Sequence, residues 1–369
     1  MSGGVDSSAC AKLLADKDYD LSAVFMRNWD TRDESGTDRG CEWEKDWEDV
    51  QRVCKKMDIP CTMVDLSREY WLRVFEPSLK SWEAGDTPNP DIWCNKEVKF
   101  GALLPRLAED TQFVATGHYA RKHWHPTNHR PMLLRPADRT KDQTYFLSAI
   151  PEPSLAKTLF PLADLHKDEV RAIARNAGLH NADREESMGI CFVGEKRKFT
   201  NFLANYIPPK PGVIRDLVSG RELGTHAGLW TFTIGQGAKI KGLPHKMFVA
   251  RKDKAANEIL VVPDDHPELF ASALKMRDWA WIWRDAPPAT IDTPEGFRAR
   301  VQFRRLMMDI PCTVRRYEKR RQIVITFDEP QKAVALGQVA VLWDDNWCLG
   351  CGTIEDAIRP SYEPDQQTL

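Results

Sequence analysis

Short apolar runs alternate with amphipathic stretches through the first half of the chain. Residues 21–26, 61–66 and 113–116 read as buried strands, because each is a brief apolar block bounded by polar or turn-forming residues. Between them, 43–57 has helical periodicity. A second helix starts at Ser67, with Trp71, Val74, Phe75, Leu79 and Trp82 on one face. A third spans 167–177, turning Val170, Ile173, Ala174 and Ala177 inward, and stops at Gly178. Strands alternating with helices predict an α/β fold of the doubly wound type, a parallel sheet with helices on both faces and ligands at the carboxyl ends of the strands. Pro208-Pro209-Lys210-Pro211-Gly212 ends this pattern. Short strands and glycine turns follow over 213–263, including 230–234 and 248–251, up to a second joint at Pro287-Pro288. Five further strands, 298–305, 312–317, 322–327, 338–343 and 348–354, suggest a small antiparallel β-barrel, and 360–369 reads as a polar tail. The predicted organisation is an α/β domain over 1–207, a β-rich module over 208–272 and a C-terminal barrel over 273–369.

Composition changes this picture little. The 369 residues are 42% hydrophobic and 29% charged, which suits a globular protein of two or three domains. No apolar run approaches the roughly 18 residues of a membrane span, so no membrane partner is expected. A net charge of −2 gives no hint of nucleic acid for the whole chain. Locally, nine Lys and Arg between Arg298 and Arg321 stand against Asp309 and Glu318, an excess of seven that fits either a phosphate-facing patch or a solvated basic face. Nine cysteines at irregular spacing argue against a disulfide framework and for a reducing compartment. Cys348-Leu-Gly-Cys351 lacks the second pair that a zinc site needs and reads as strand-end packing; no metal site is expected.

Three segments carry chemistry. Ser2-Gly3-Gly4-Val5-Asp6-Ser7-Ser8 precedes a helix whose apolar face includes Val5, Cys10, Leu13 and Leu14. Glycines permit close backbone approach, and a helix start offers amides and a positive dipole end to phosphate. The string is not a Walker loop, and it resembles the pyrophosphate loop of the ATP-pyrophosphatases. Such a loop normally follows a buried strand. Here it opens at the second residue, which predicts a sheet lacking its first strand and weaker nucleotide binding. In the second segment, Asn89-Pro90-Asp91 precedes Cys94, and three residues bring carboxylate and thiol to one side of a helix whose start favours a thiolate. A buried structural cysteine is the alternative. In the third, Gly189-Ile190-Cys191-Phe192, the glycine gives backbone access to a sheltered sulfur, although a cysteine in an apolar strand is usually inert.

In order along the chain, SGGVDSS, FMRNWD (25–30), TPNPDIWCNKEVKF (87–100), ATGHYAR (115–121), KDQTYFL (141–147) and GICF (189–192), with FDEP (327–330) and CLG (348–350) beyond, closely resemble the tRNA-specific 2-thiouridylase family. The resemblance implies an ATP-dependent sulfurtransferase acting on the wobble uridine of tRNA. Residues 2–8 would hold the ATP phosphates, with Mg²⁺, and Met26 and Gly117 would line the adenosine site. Adenylation of the uracil 2-oxygen gives AMP as leaving group. Cys191 would carry the persulfide sulfur, and Cys94 would resolve it, leaving the two cysteines oxidised until a thiol reductant restores them. Asn89, Pro90 and Asp91 would meet the target base, with Asp91 as general acid or base. Lys141, Asp142 and Gln143, with Arg304 and Arg305, would contact tRNA, although the family commonly has Arg-Tyr at the last pair. An upstream persulfide donor is the further implied partner. Two rivals remain: another pyrophosphate-loop ligase, and a tRNA-binding or sulfur-carrier protein with a defective ATP site. The Trp-rich stretch 41–54 looks like fungal members, which implies mitochondria; bacterial members are cytoplasmic.

Overall fold

The computed structural model describes residues 1–29, 42–185, 199–317 and 322–359. The chain divides into two units: one of residues 1–76, 90–197 and 346–349, the other of 77–89, 198–345 and 350–369.

The first unit is the α/β part. Helix Val5–Ala15 follows the glycine-rich loop directly. Strands Ala23–Arg27 and Cys61–Asp65 pair in parallel from Ala23 opposite Cys61 to Arg27 opposite Asp65. Helix Glu42–Met57 covers them through Val50 and Cys54, which pack with Ala23, Phe25 and Ile59. A second parallel pair joins Val114–Ala115 to Thr158–Leu159. Helix Lys167–Asn176 packs on Val5–Ala15, with Val170 against Ala9 and Cys10, and Ala174 against Val5.

That helix ends as its sequence predicts. Gly178 takes a left-handed φ of 60°, its amide donates to Arg175 O at 2.8 Å, and the Leu179 amide donates to Ala174 O at 3.0 Å. Both bonds together form a Schellman motif, which satisfies two carbonyls that the helix leaves open. The helix from Ser67 departs from expectation. Ser67–Tyr70 passes into a π-helical turn at Trp71–Phe75, and the wider turn breaks the 3.6-residue phase on which a single apolar face rests. Val74 and Phe75 are buried, whereas Trp71 is 39% exposed.

The second unit is all β apart from short helical segments. A four-stranded sheet orders Glu222–His226, Gly212–Asp216, Glu258–Pro263 and Met247–Asp253 around Ile214, Val249, Ile259 and Val261. The strand expected over 230–234 is a 3-10 turn, Leu229–Thr231. Thr231 Oγ1 donates to Gly228 O at 2.6 Å and Gln236 Oε1 accepts from Thr233 N at 3.0 Å, so local side-chain bonds replace a strand ladder there. Next, six strands close into a barrel in the order Phe270–Trp281, Gln322–Lys332, Ile310–Tyr317, Phe297–Gln302, Val339–Asp344 and Trp347–Ile358, the last belonging to this unit from Gly350 onward. The last returns to the first, pairing Gly350 with Trp281 and Ile358 with Ala273. Five of these strands are legible as sequence. The sixth, Phe270–Trp281, is not, because register shifts against both neighbours and a left-handed Asp278 break its period-two alternation.

Gly178→Ala places a Cβ on a left-handed residue and is expected to lower stability by about 1–2 kcal/mol. A urea midpoint unchanged from wild type would show that the motif tolerates a side chain.

Candidate active site

The glycine-rich loop is held from behind. Gly3 has φ 75°, and a Cβ there would lie 2.8 Å from Asp46 O, so this position requires glycine. Asn181 Nδ2 donates to Gly3 O at 2.7 Å and to Ser8 Oγ at 2.9 Å. Arg184 Nη1 reaches Gly3 O at 3.3 Å, and its guanidinium pairs with Asp46 at 2.6 Å and Asp49 at 3.0 Å. Ser7 Oγ and Ser8 Oγ both donate to Gly4 O at 3.0 Å, while Ser2 N donates to Ser7 Oγ at 3.2 Å. With the loop carbonyls tied back into the protein, the face left to a ligand is that of the first-turn amides of Val5–Ala15, which by geometry have no partner within the helix. Such a nest of amides at the positive end of a helix suits a polyphosphate.

Asp6 is fixed on the same turn. Lys167 Nζ contacts both of its carboxylate oxygens, at 2.7 and 2.8 Å, and Tyr119 Oη donates to Oδ1 at 3.0 Å. Lys167 also lies over the Tyr119 ring, 5.7 Å from its centroid. Gly117, two residues before Tyr119, presses on the loop itself: a Cβ there would stand 2.8 Å from Ser7 N and 2.9 Å from Asp6 C.

The next residue turns toward the thiol segment. His118 Nε2 lies 3.2 Å from Lys99 Nζ, and Nδ1 lies 3.0 Å from Thr116 Oγ1. Desolvation, with the Lys99 ammonium adding to it, holds the His118 pKa well below its ordinary 6.5. The ring is therefore neutral, accepting from Lys99 at Nε2 and donating from Nδ1 to Thr116. Lys99 belongs to the π-helical stretch Cys94–Ala102, which continues the helical turn Pro90–Trp93. Cys94, only 8% exposed, thus opens the second turn, with Asp91 one turn ahead on the same side. That placement weakens the expected dipole effect on the thiol, because the effect falls off within the first turn. Asn28 Nδ2, just past strand Ala23–Arg27, is 3.9 Å from Cys94 Sγ. Asn95 Nδ2 donates to Phe146 O at 3.0 Å, which brings in the KDQTYFL segment.

The structure thus gathers, in one unit, residues 2–8, Gly117, Asp91, Cys94 and residues 141–143. Met26 lies in the parallel strand pair, opposite Val64. Two of the proposed tRNA contacts have internal work. Asp142 accepts from Arg135 at 2.8 Å and from Thr144 N at 2.9 Å. Gln143 holds the Tyr119 backbone from both sides, through Oε1 and its own amide, each at 3.0 Å. Asn89 belongs to the second unit and Pro90 to the first. Cys191, with the rest of GICF, lies outside the described residues, as do residues 318–321 of the basic stretch.

In the second unit, Arg304 Nη2 donates to Ala333 O at 3.1 Å and to Lys332 O. Arg305 is exposed, followed by Leu306 at 71% and Met308 at 81% exposure. Three of the basic residues have acidic partners: Arg298 pairs with Asp328 at 2.7 Å, Arg300 with Asp309, and Arg316 with Asp292 at 3.3 Å. Sequence reasoning passed over Lys167, Asn181, Arg184 and the Lys99–His118 pair. Only Lys167 leaves a trace in sequence, as a cation in the first turn of a helix, where the dipole disfavours it.

Fold and site together define a nucleotide-loop α/β domain followed by a small β module and a closed β-barrel. Three family models match in that order: a tRNA methyl transferase HUP domain over 1–195, a tRNA methyl transferase PRC-barrel domain over 200–263 and an aminomethyltransferase beta-barrel domain over 271–354. Over nearly its whole length, the chain belongs to the tRNA-specific 2-thiouridylase family. It is 42% identical to a tRNA-specific 2-thiouridylase MnmA 1 of Geobacillus kaustophilus, covering 97% of this chain and 95% of that protein. Identity is 44% to the MnmA of Tolumonas auensis, over 98% and 96%, and 43% to that of Psychromonas ingrahamii, over 97% and 96%. These relatives are bacterial and lend no support to the expected fungal, mitochondrial origin. No helix among the described residues is long and apolar enough to cross a membrane.

Gly117→Ala is expected to push the Asp6–Ser7 backbone away and lower ATP affinity at least about tenfold, because a Cβ cannot share that space with main chain. Calorimetric titration giving wild-type affinity would refute this. The depressed His118 pKa also makes a stability prediction. Below pH 6.5 the unfolded chain takes up a proton that the folded ring refuses, so stability falls with falling pH by up to about 1.4 kcal/mol per unit. His118→Gln, which keeps an acceptor for Lys99, should remove that slope, and parallel urea titrations of the two proteins across this range decide it.

Proposed function

We propose that this protein uses ATP to replace the 2-oxygen of the wobble uridine of tRNA with sulfur. One observation carries the reading: the loop built for polyphosphate and the helix bearing Cys94 are joined by Gly117, which packs on the loop, and His118, which holds Lys99 on that helix. A phosphate site and a thiol held by adjacent residues suit a reaction that needs both an activated oxygen and a sulfur transfer.

A uracil 2-carbonyl is a poor electrophile with no leaving group, and ATP, entering with Mg²⁺ as the counter-ion of its phosphates, supplies the adenylyl group that makes the oxygen leave as AMP. Residues 2–8 hold the phosphates through the first-turn amides, and Met26 and Gly117 border the adenosine. Asn89, Pro90 and Asp91 meet the extruded base, with Asp91 positioned to move a proton. The terminal sulfur of a persulfide on Cys191 attacks the activated carbon. The Cys94 thiolate then attacks the Cys191 sulfur, releasing the thiolated base and leaving a Cys94–Cys191 disulfide. A persulfide donor reloads the sulfur and a thiol reductant reopens the disulfide. Lys141, Arg304 and Arg305 contact the tRNA backbone, and Asp142 and Gln143 support that contact from within, through Arg135 and Tyr119. The bacterial relatives favour a cytoplasmic setting for this chemistry.

The test is thiolation of a transcribed tRNA with ATP, a persulfide donor and a thiol reductant, read by nucleoside mass analysis. Cys94→Ser and Cys191→Ser should each abolish product formed through the persulfide route while ATP binding persists. Full activity in either variant rules out the relay, and AMP formation without tRNA would favour a different pyrophosphate-loop ligase.

A further inference from the structure

The helix Glu76–Glu83 ends in a second Schellman motif: Gly85, at φ 83°, donates to Trp82 O at 2.8 Å, and Asp86 N donates to Ser81 O at 2.9 Å. After it the chain runs without secondary structure through Asp86–Asn89 to Pro90. Gly85 and the first two residues of this run are each held from elsewhere in the second unit. Lys252 Nζ donates to Gly85 O at 2.6 Å, and Lys254 Nζ pairs with Asp86 at 2.8 Å. The Thr87 amide donates to Leu336 O at 2.8 Å, and Gln338 Nε2 donates to Thr87 O at 2.7 Å. Gly337 completes the fit: it has φ 85°, and a Cβ there would stand 2.9 Å from Asp86 Cβ and 3.0 Å from Thr87 N.

The two lysines come from strand Met247–Asp253 and the residue after it, at the edge of the four-stranded sheet; Gln338 directly precedes barrel strand Val339–Asp344. Neither sheet needs these side chains for its own pairing. Lys252 is moreover kept where burial opposes its charge, pushing its pKa down to about 8, with Asp86 favouring and Lys254 opposing the ammonium.

We propose that Lys252, Lys254 and Gln338 are positioning residues, a three-point clamp on Gly85–Thr87 that fixes the conformation of the chain leading into Asn89 for the sulfur-transfer reaction. The proposal rests on the functional reading above, because it assigns the clamp its purpose through the residues that follow in the chain. It gives the two β modules a share in catalysis beyond any contact with substrate: they set the conformation of a segment that has no ladder of its own. A misplacement of about 1 Å at a reacting group costs on the order of a hundredfold in rate, so a loosened clamp should act on turnover rather than on binding.

The experiment compares wild type with Lys252→Met, Lys252→Arg and Gln338→Leu in the full chain. Hydrogen exchange of peptides covering residues 84–95 is followed alongside kcat and KM for tRNA thiolation. The clamp predicts faster exchange in that segment and a kcat lowered about tenfold or more in Lys252→Met and Gln338→Leu, with KM for tRNA little changed and both effects largely reversed in Lys252→Arg. Unchanged exchange, or unchanged kcat, in both disruptive variants overturns it. If Lys252→Met does not fold, Gln338→Leu decides the matter by the same two readings. A wild-type enzyme that exchanges slowly in this segment yet makes no thiouridine overturns the functional reading instead, since exchange reports the clamp independently of turnover.

Discussion

Backbone touching backbone at Gly117 is the constraint on which the first unit's site depends. With the Asp6 carbonyl carbon and the Ser7 amide within 3 Å of where a Cβ would be, only a residue without a side chain lets the 115–121 segment lie on the glycine-rich loop. From that approach the rest follows in sequence order. His118 is carried to Lys99 on the Cys94 helix, and Tyr119 is carried back to Asp6. Gln143 locks Tyr119, and Asn95 ties the Cys94 helix to Phe146 in the same segment as Gln143. Four short motifs far apart in the chain thereby become one arrangement, held by mutual hydrogen bonds rather than by any one strong contact.

Electrostatics in this region serve orientation more than stability. Asp6, in the first turn of Val5–Ala15, sits where a helix dipole welcomes an anion, and Lys167, in the first turn of Lys167–Asn176, sits where it does not. Their pairing offsets the unfavourable member and fixes the Asp6 carboxylate on two nitrogen contacts and one hydroxyl. A largely buried ion pair of this kind adds little net stability over an apolar contact, but it specifies a geometry. The neutral His118 follows the same logic: beside an ammonium and away from water, only the uncharged ring can accept from Lys99.

The second unit works by neutralisation and closure. Three arginines of the basic stretch lie opposite acidic neighbours, so Arg298, Arg300 and Arg316 brace the barrel wall. Close approach matters at the seam as well: a Cβ on Gly350 would stand 2.2 Å from Ala280 O, where the last strand meets the first. In the loop joining barrel strands Phe297–Gln302 and Ile310–Tyr317, Arg305, Leu306 and Met308 are exposed.

By itself the sequence determined what depends on neighbours in the chain: the glycine-rich loop opening a helix, the Gly178 stop of Lys167–Asn176, the parallel pairing implied by strand-helix alternation, and the motif order that marks the family. Tertiary structure decided what depends on partners distant in the chain. Periodicity could not foresee that a π-turn would expose Trp71, that Thr231 and Gln236 would convert an expected strand into a turn, or that Phe270–Trp281 would close the barrel despite broken alternation. Nor could it foresee Asn181 and Arg184 behind the loop, because a lone polar residue bears no local signature of what it will meet. Local steric rules are written residue by residue, whereas hydrogen-bond partners are chosen only once the chain has folded and each buried polar group must find one.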